Sequence, residues 1–238
     1  MSLYNRISAD IVVEPFGGSA KFLLNINNWT LDGAKTVVYN DADKRVANLF
    51  RQVKDNPQEL AEKFRWVINS RDWWNDFNKH ESIDPIEDAF RTLYVLALGQ
   101  PQRNFNSFGW HVDDPDRLDS VMSRIYQIHK IVRKWIVECA DFATIINRYN
   151  FPNTFFYLDP PYTAMKGGMY RINEINYHKL KHLLDGIKGY YVMNINDSRL
   201  VRDVFGEPQV IKEFKNVTNG SPHADARIEL FYHNLPSS

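Results

Sequence analysis

The sequence predicts an α/β fold that carries an inserted helical subdomain. Short apolar runs at residues 11–13, 36–39 and 154–158 have the length and composition of buried strands. Each of the first two runs is followed by a turn and a helical pattern, which is the alternation expected of a parallel sheet with covering helices. Between the second and third runs, residues 56–135 are mostly helical in pattern. We therefore expect a sheet domain that is interrupted by a block of helices.

Composition and charge exclude several classes of protein. The chain has 238 residues, of which 44% are hydrophobic and 24% charged, as in an ordinary globular domain. The net charge is zero, so overall charge gives no argument for a nucleic-acid partner. The single cysteine, Cys139, excludes an internal disulfide and a multi-cysteine metal site, and no metal is expected. No apolar run approaches the roughly 18–20 residues of a membrane span, and the first ten residues do not form a signal peptide. We expect a cytoplasmic protein with no membrane partner.

The first apolar run ends in a turn of small residues. The turn is Glu14-Pro15-Phe16-Gly17-Gly18-Ser19-Ala20. Glycines let the chain turn sharply and let a ligand approach the backbone. A helix is expected to begin near Ser19 and to carry Phe22, Leu23 and Leu24 inward. A strand, a small-residue turn and a helix are typical of the nucleotide-binding half of an α/β fold.

The second apolar run ends in Asn40-Asp41. An acid at the end of the second strand is placed to bind the hydroxyls of a nucleoside ribose. Alternatively, Asp41 or Asp43 caps the helix that follows. The residues alone leave these two interpretations open.

The helical block contains a polar stretch after Gly99. Arg103, Asn104 and Asn106 lie in this stretch and have side chains that can bind phosphates or base edges. The alternative is a helical lid with a solvated face. The tryptophans of the block, Trp66, Trp73 and Trp74, are expected to be packing residues, with base stacking as the alternative. The long helix that follows is expected to run through the segment KWIVE, residues 134–138.

The third apolar run, residues 154–158, delivers Asp159 to the carboxyl edge of the sheet, where ligands bind in open α/β folds. Pro160 and Pro161 stiffen the turn and leave carbonyl oxygens that can accept hydrogen bonds. A carboxylate beside a rigid carbonyl suits an exocyclic amino group, which has two donors. Tyr162 can stack on the ring that carries that amine. A plain surface turn is the alternative.

In their order along the chain, these segments resemble the adenine-N6 DNA methyltransferases of the Dam-like, or D12, class. The resemblance runs from Val13 to about Asn234 and is most specific in the segment LDPPY. It rests also on the segments EPFGGSAKFL, NDAD, ADF, AFRTLYVLALGQPQRNFNSFG, GYYVMNINDSRLVRDVF and RIELFYHN. It implies a Rossmann-like methyltransferase sheet, S-adenosylmethionine as cofactor, double-stranded DNA as partner, a monomer, and a bacterial or phage-encoded enzyme of the restriction-modification kind.

The resemblance also implies a role for each segment. Residues 1–55 and 136–238 are expected to form the catalytic domain, and residues 56–135 the target-recognition subdomain that contains Arg103, Asn104 and Asn106. The cofactor contacts carried over are Glu14, Pro15, Phe16, Gly17, Gly18, Ser19, Asp41, Asp141 and Phe142. The catalytic residues carried over are Asp159, Pro160, Pro161 and Tyr162. Asp141 and Phe142 are expected at the end of a strand.

The expected reaction is methylation of a flipped adenine. Asp159 and the Pro160 carbonyl accept the two N–H bonds of the amine, and Tyr162 stacks on the base. A cytosine-C5 enzyme needs a cysteine nucleophile, and the setting of Cys139 does not suit one. Methylation of cytosine N4 or RNA remains an alternative. So does a non-catalytic relative that binds nucleic acid or cofactor, because no glycine-glycine-lysine segment precedes Glu14 and the last glycine of the family turn is Ala20.

Overall fold

The computed structural model describes residues 9–30, 35–99, 108, 117–161, 175–214 and 227–236. Tyr162, Arg103, Asn104 and Asn106 lie outside the described residues. The chain folds into two compact units. The first unit comprises Met1–Asn40, Ala140–Ala164 and Asn173–Ser238. The second comprises Asp41–Cys139 and Met165–Ile172.

Strands and helices alternate at both ends of the chain, and helices fill the middle. The strands are β1 (Ile11–Glu14), β2 (Thr36–Asn40), β3 (Ile136–Glu138), β4 (Thr154–Leu158), β5 (Tyr190–Asn196), β6 (Val210–Phe214) and β7 (Arg227–His233). The helices are α1 (Lys21–Thr30), α2 (Lys44–Asp55), α3 (Pro57–Glu62), α4 (Arg71–Lys79), α5 (Pro85–Leu98), α6 (Arg117–Val132), α7 (Phe142–Arg148), α8 (Tyr177–Asp185) and α9 (Arg199–Phe205).

Six of the seven strands of the sheet belong to the first unit, in the order β2-β1-β4-β5-β7-β6. Strands β2, β1, β4 and β5 run parallel, and β7 is antiparallel to both β5 and β6. Because parallel strands end at the same edge, the turns after β1, β2, β4 and β5 share one edge of this sheet. The predicted α/β class is confirmed.

One apolar cluster of the first unit lies on the face of the sheet opposite to α1, whose Phe22 packs against Phe155 and Tyr157 on the other face. Alternate residues of the central strands point to the face of this cluster, including Val13, Phe156 and Met193, all of them fully buried. Apolar residues of α7, α8 and α9 pack against it: Ile145, Ile146, Leu180, Leu184 and Val201. The strand predicted at residues 154–158 coincides with β4, and β1 and β2 each extend one residue beyond their predictions.

Helices α2–α6 build the second unit, together with β3. Arg45 is buried in it and donates hydrogen bonds to the hydroxyl of Thr92 (3.2 Å) and the carbonyl of Phe77 (3.0 Å). Asp88 Oδ1 lies 3.7 Å from the Arg45 Nε atom, and both side chains are about nine-tenths buried. The interior of this unit is therefore held by a buried ion pair as well as by apolar contacts.

Three expectations about local structure are wrong. Residues Ile136–Glu138 form β3 instead of continuing the long helix, which ends at Val132. Trp74 is buried, and Trp73, although 40% exposed, packs against the rings of Phe77 and Tyr94. The expectation of packing is wrong for Trp66, which is 86% exposed because α3 already ends at Glu62 and leaves it in a turn. Helix α1 begins at Lys21, two residues later than expected.

Within the parts of the chain that the structure describes, no helix is long and apolar enough to cross a membrane.

Candidate active site

The turn after β1 is packed against a tyrosine of β2. A Cβ atom on Gly17 would overlap the ring of Tyr39, so only glycine fits at this position. The Tyr39 hydroxyl donates a 2.8 Å hydrogen bond to the carbonyl of Gly18. Gly18 has a φ of +47°, in the left-handed region that favours glycine. The backbone of the predicted small-residue turn therefore lies close against Tyr39 of β2, which fixes its position.

The end of this turn holds an alanine in an unusual conformation. Ala20 has a φ of +53° and is fully buried, and its N–H donates a 2.7 Å hydrogen bond to the carbonyl of Gly17. Left-handed backbone costs a residue with a Cβ about 1–2 kcal/mol. The sequence resemblance leads us to expect a glycine at this position. The alanine therefore keeps the turn geometry at the expense of local strain.

Buried polar groups lie at the ends of β1 and β2. Glu14 and Asn40 are the last residues of these strands, and both are buried. Asp41 follows Asn40 directly in the chain, belongs to the second unit and is also buried. Its Oδ1 atom accepts a 2.8 Å hydrogen bond from the Asp43 N–H, while Asp43 caps α2. The helix cap is thus Asp43, and the Asp41 carboxylate shapes the turn before it.

Asp141 and Phe142 begin a helix, and the expectation that they end a strand is wrong. Strand β3 ends at Glu138, and Asp141 caps α7 by accepting a 3.0 Å hydrogen bond from the Ala143 N–H. An acid at this position satisfies an N–H group that no helix carbonyl can reach.

Phe16 and Phe142, two of the predicted cofactor contacts, lie side by side. Their ring centroids are 5.2 Å apart and the ring planes are tilted by 33°. The Lys179 Nζ atom of α8 lies 5.3 Å from the centroid of the Phe142 ring and 3.2 Å from Asp141 Oδ1. The turn after β1, the start of α7 and the side chain of Lys179 therefore meet in one place.

The segment after β4 begins with an exposed carboxylate. Asp159 is exposed and directly follows Leu158, which is fully buried and pairs with Met193 of β5. Pro160 is buried. The buried Tyr177 donates a 3.3 Å hydrogen bond from its hydroxyl to the Pro161 carbonyl. The strand therefore presents Asp159 at the sheet edge, and α8 anchors the proline turn.

Tyr157 of β4 places a hydroxyl group near the Asp159 carboxylate. Burial raises the pKa of the Tyr157 hydroxyl, and the carboxylates of Asp159 and Glu14 raise this pKa further. Asn194 of β5 makes a hydrogen bond with the Tyr157 side chain. Tyr157 therefore keeps its proton at neutral pH, and its neutral hydroxyl adds no charge beside Asp159.

Cys139 has the properties of a structural thiol. It follows β3 and is half-buried, and burial raises the pKa of its thiol. A nucleophilic cysteine needs a lowered pKa. The environment of Cys139 therefore agrees with its exclusion as a nucleophile.

Sequence reasoning missed four residues that shape this site: Tyr39, Asn40, Tyr177 and Lys179. Their contacts join segments far apart in sequence, as between Tyr177 and Pro161 or between Lys179 and Asp141. Of the four, Asn40 is the one that the sequence could have indicated, because it is a polar residue at the end of an apolar run.

Comparison with known proteins agrees with the motifs. Residues 3–219 match the family of D12 class N6 adenine-specific DNA methyltransferases. The chain is 26% identical over 241 residues to the type II methyltransferase M1.LlaDCHI of Lactococcus lactis subsp. cremoris, with 87% of this chain and 80% of that protein covered.

Solved structures give more distant similarities. The putative methyltransferase SMU.472, solved in complex with SAH, is 10% identical to this chain, with a TM-score of 0.40. The match covers 100% of this chain, which spans about half (51%) of SMU.472. The rRNA methyltransferase aviRa of Streptomyces viridochromogenes is also 10% identical, with a TM-score of 0.38, 98% of this chain covered and 80% of that one.

The family match covers nearly the whole chain, including both the turn after β1 and the segment after β4. The sheet is the Rossmann-like methyltransferase sheet that the sequence predicts. The chain belongs to the D12 class of N6 adenine-specific DNA methyltransferases, enzymes that take their methyl group from S-adenosylmethionine.

Proposed function

We propose that this methyltransferase modifies one adenine within a specific sequence of double-stranded DNA, and that the adenine is flipped out of the duplex for the reaction. The observation that carries the proposal is the exposed Asp159 at the end of β4, between the parallel neighbours β1 and β5. Flipping a base costs a few kcal/mol. Stacking on Tyr162, worth on the order of 1–3 kcal/mol, offsets much of that cost.

Asp159 and the Pro160 carbonyl are the proposed acceptors for the two N–H bonds of the adenine amine. An aromatic amine is a weak nucleophile because its lone pair is delocalised into the ring. Two acceptors on one side of the nitrogen favour a pyramidal geometry with a localised lone pair. Pro160 and Pro161 keep these acceptors rigid, and the Tyr177 hydroxyl anchors the turn at the Pro161 carbonyl. The protein thus supplies position and electrostatics.

The residues around the turn after β1 fit S-adenosylmethionine. The proposed contacts are Glu14, Pro15, Phe16, Gly17, Gly18, Ser19, Asp41, Asp141 and Phe142. Gly17 and Gly18 bring the backbone close to a ligand, and the Phe16 and Phe142 rings offer an apolar surface for its adenine ring. Asp41 is the proposed acceptor for the ribose hydroxyls, and Asp141 for the adenine amine. When bound, the cofactor supplies an electrophilic methyl group.

Asp41→Ala tests the cofactor site. Removing a charged hydrogen-bond partner costs about 1.5–3 kcal/mol, so the affinity for S-adenosylhomocysteine should fall by tenfold or more. Calorimetric titration of the folded variant measures this. Unchanged affinity would exclude Asp41 as a ribose ligand. An unmodified chain that binds cofactor but transfers no methyl group would support the non-catalytic alternative.

Residues 56–135 are the proposed target-recognition subdomain, and the remainder the catalytic domain. Arg103, Asn104 and Asn106 are the proposed DNA contacts within it. Binding through several phosphates weakens steeply with salt, so Arg103→Glu should lower DNA affinity most at low salt. Arg65→Glu, on an exposed residue that pairs with Glu62, is a control for the change of charge alone. Equal affinities of Arg103→Glu and unmodified protein at low salt would favour a lid.

The biological setting is proposed from the relative. The Lactococcus protein is a type II methyltransferase, which supports a restriction-modification role for this chain. We propose a bacterial or phage-encoded protein that acts as a monomer in the bacterial cytoplasm. Mapping of modified bases on a mixed-sequence plasmid would give the recognition sequence.

The decisive experiment is transfer of a tritiated methyl group to DNA. Asp159→Ala should abolish transfer and leave cofactor affinity within a few-fold of the unmodified protein, and Asp159→Asn should retain some activity at best. Tyr162→Ala should chiefly weaken use of the base, whereas Tyr162→Phe should be mild because stacking needs only the ring. Asp185→Ala, on an exposed acid of α8 that pairs with Lys181, is the control. Strong transfer by Asp159→Ala would overturn the mechanism, and methylated cytosine would overturn the substrate.

A further inference from the structure

Asn40 joins two segments of the candidate cofactor site. It is the last residue of β2 and is fully buried. Its Nδ2 atom donates hydrogen bonds to the carbonyls of Pro15 (2.8 Å) and Ala140 (3.0 Å). Its Oδ1 atom accepts a 2.9 Å hydrogen bond from the Ala140 N–H. Both donor hydrogens and the acceptor of this one amide are therefore used.

The backbone of Asn40 adds a fourth contact. Its carbonyl accepts a 2.7 Å hydrogen bond from the Gly17 N–H. The turn after β1 is thus held at Pro15 by the side chain of Asn40 and at Gly17 by its backbone. These two positions flank Phe16, so the same residue fixes both ends of the segment that carries this ring.

The second segment is held just as closely. Ala140 makes two hydrogen bonds with the Asn40 amide, through its N–H and its carbonyl, and it directly precedes Asp141 and Phe142. The Phe16 and Phe142 rings, 5.2 Å apart, each lie one or two residues from an anchor on Asn40. Their spacing is therefore set through a single buried side chain.

No other side chain satisfies this pattern at the same size. Two carbonyls need donors and one N–H needs an acceptor, and of the twenty residues only asparagine offers all three from a short planar group. Aspartate has the same shape but no donor when ionised. It would keep the bond from the Ala140 N–H and would face the Pro15 and Ala140 carbonyls with negative charge.

We propose that Asn40 is a positioning residue for S-adenosylmethionine, and that it acts by fixing the turn after β1 to the segment before α7. The proposal rests on the proposed cofactor site. Asn40 itself takes no part in methyl transfer. Its loss should raise the KM for the cofactor and leave kcat at saturating cofactor nearly unchanged, whereas loss of Asp159 should lower kcat.

Asn40→Asp is the test variant. We expect its Kd for S-adenosylhomocysteine, measured by calorimetry, to rise by tenfold or more. Asn40→Ser keeps one hydroxyl donor, so its Kd should lie between those of Asn40→Asp and the unmodified protein. It is also the test variant if Asn40→Asp does not fold. A rise in KM with kcat preserved would agree with the binding result.

Two controls separate positioning from general stability. The Asn150 side chain likewise donates a 2.9 Å hydrogen bond to the Gly186 carbonyl and accepts a 2.8 Å hydrogen bond from the Lys188 N–H. Asn150 lies before β4, however, at the opposite edge of the sheet. Asn150→Asp makes the same chemical change there. Val201→Ala removes buried atoms from the core of the first unit. Both should bind S-adenosylhomocysteine within about twofold of the unmodified protein.

The outcomes distinguish this inference from the cofactor site on which it rests. Should Asp41→Ala weaken binding while the folded Asn40 variants bind within twofold of the unmodified protein, the inference is overturned and the site stands. Equal weakening by Asn40→Asp and Asn150→Asp would also overturn it, because the effect would then be one of stability. If Asp41→Ala binds normally and Asn40→Asp does not, the positioning role stands and the ribose assignment fails.

Discussion

The ring of Tyr39 fills the space that a side chain on Gly17 would need. Its hydroxyl, bonded to the Gly18 carbonyl, keeps the ring in place. Tyr39 of β2 therefore helps to fix the turn after β1, and we expect substitutions in either strand to alter the proposed cofactor site.

Gly17→Ala should destabilise the protein and weaken cofactor binding. Forcing an extra group into a packed site typically costs about 1–3 kcal/mol. Chemical denaturation and calorimetric titration measure the two effects. Combining Gly17→Ala with Tyr39→Leu, which removes the obstructing ring, should recover part of the stability. Failure of the double variant to gain anything over Gly17→Ala would show that the Tyr39 ring is not the obstacle.

Ala20→Gly should leave stability nearly unchanged. Relief of left-handed strain gains about 1–2 kcal/mol, while the greater freedom of glycine in the unfolded chain costs about 0.4–1 kcal/mol. Loss of one buried methyl group costs about 0.8 kcal/mol.

The matched control for this change is Ala89→Gly. Ala89 is equally buried but lies within α5, where glycine relieves no strain. Glycine costs about 1 kcal/mol in a helix interior, in addition to the lost methyl group. Equal destabilisation at the two positions, measured by urea unfolding, would show that Ala20 is not strained.

Asp88→Ala should be strongly destabilising. It would leave the buried Arg45 without its carboxylate partner, and breaking a buried pair in this way costs about 3–5 kcal/mol. Asp203→Ala removes an exposed acid 3.7 Å from Arg199 and should change the free energy of unfolding by less than about 0.5 kcal/mol. Thermal and urea unfolding compare the two. A small effect of Asp88→Ala would show that water replaces the missing charge.

The pair of Asp197 and Arg202 should make stability depend on pH. The Arg202 guanidinium hydrogen-bonds both Asp197 oxygens, at 2.7 and 2.9 Å, and these bonds, more than the charge of Arg202, lower the pKa of that carboxyl. Because the folded pKa lies below the unfolded value of about 3.9, the stabilisation is complete above that value and is lost as the pH falls through the folded pKa.

Asp197→Asn should therefore lower the free energy of unfolding at pH 7, by no more than about 1 kcal/mol for a partly exposed pair. The difference from the unmodified protein should shrink below about pH 4. Urea unfolding across this range measures it. A difference that stays constant down to the most acidic pH would assign the effect to lost packing.

The strands that carry the site could be predicted from the sequence because each is a short apolar run followed by polar residues or proline: Glu14-Pro15, Asn40-Asp41 and Asp159-Pro160. The predicted and observed bounds of β4 are identical for this reason. β3 could not be predicted, since Ile136–Glu138 is only three residues long and continues the apolar spacing of the helix before it. At such short length, the periods of helix and strand cannot be told apart.

The contacts that build the site were less predictable than its strands. Asn40 is linked to Pro15 and Ala140 across 25 and 100 positions of sequence, and no local pattern records such links. The sequence predicts Asp141 as a site residue, but its position as a helix cap depends on where α7 begins. Trp66 is exposed because α3 ends at Glu62. The sequence does not indicate this end, because apolar residues continue at helical spacing beyond it.

The order of the sheet has a consequence for how the protein matures. β1 pairs with β2 and with β4, so that Ile11 lies opposite Thr36 on one side and Thr154 on the other. The first pairing can form early in synthesis, whereas the second must wait until the ribosome has made α2–α6, and pairing over such distances is slow. A nascent chain therefore has the glycine turn long before it has Asp159, and we expect methyl transfer to begin only after β4 has been inserted into the sheet.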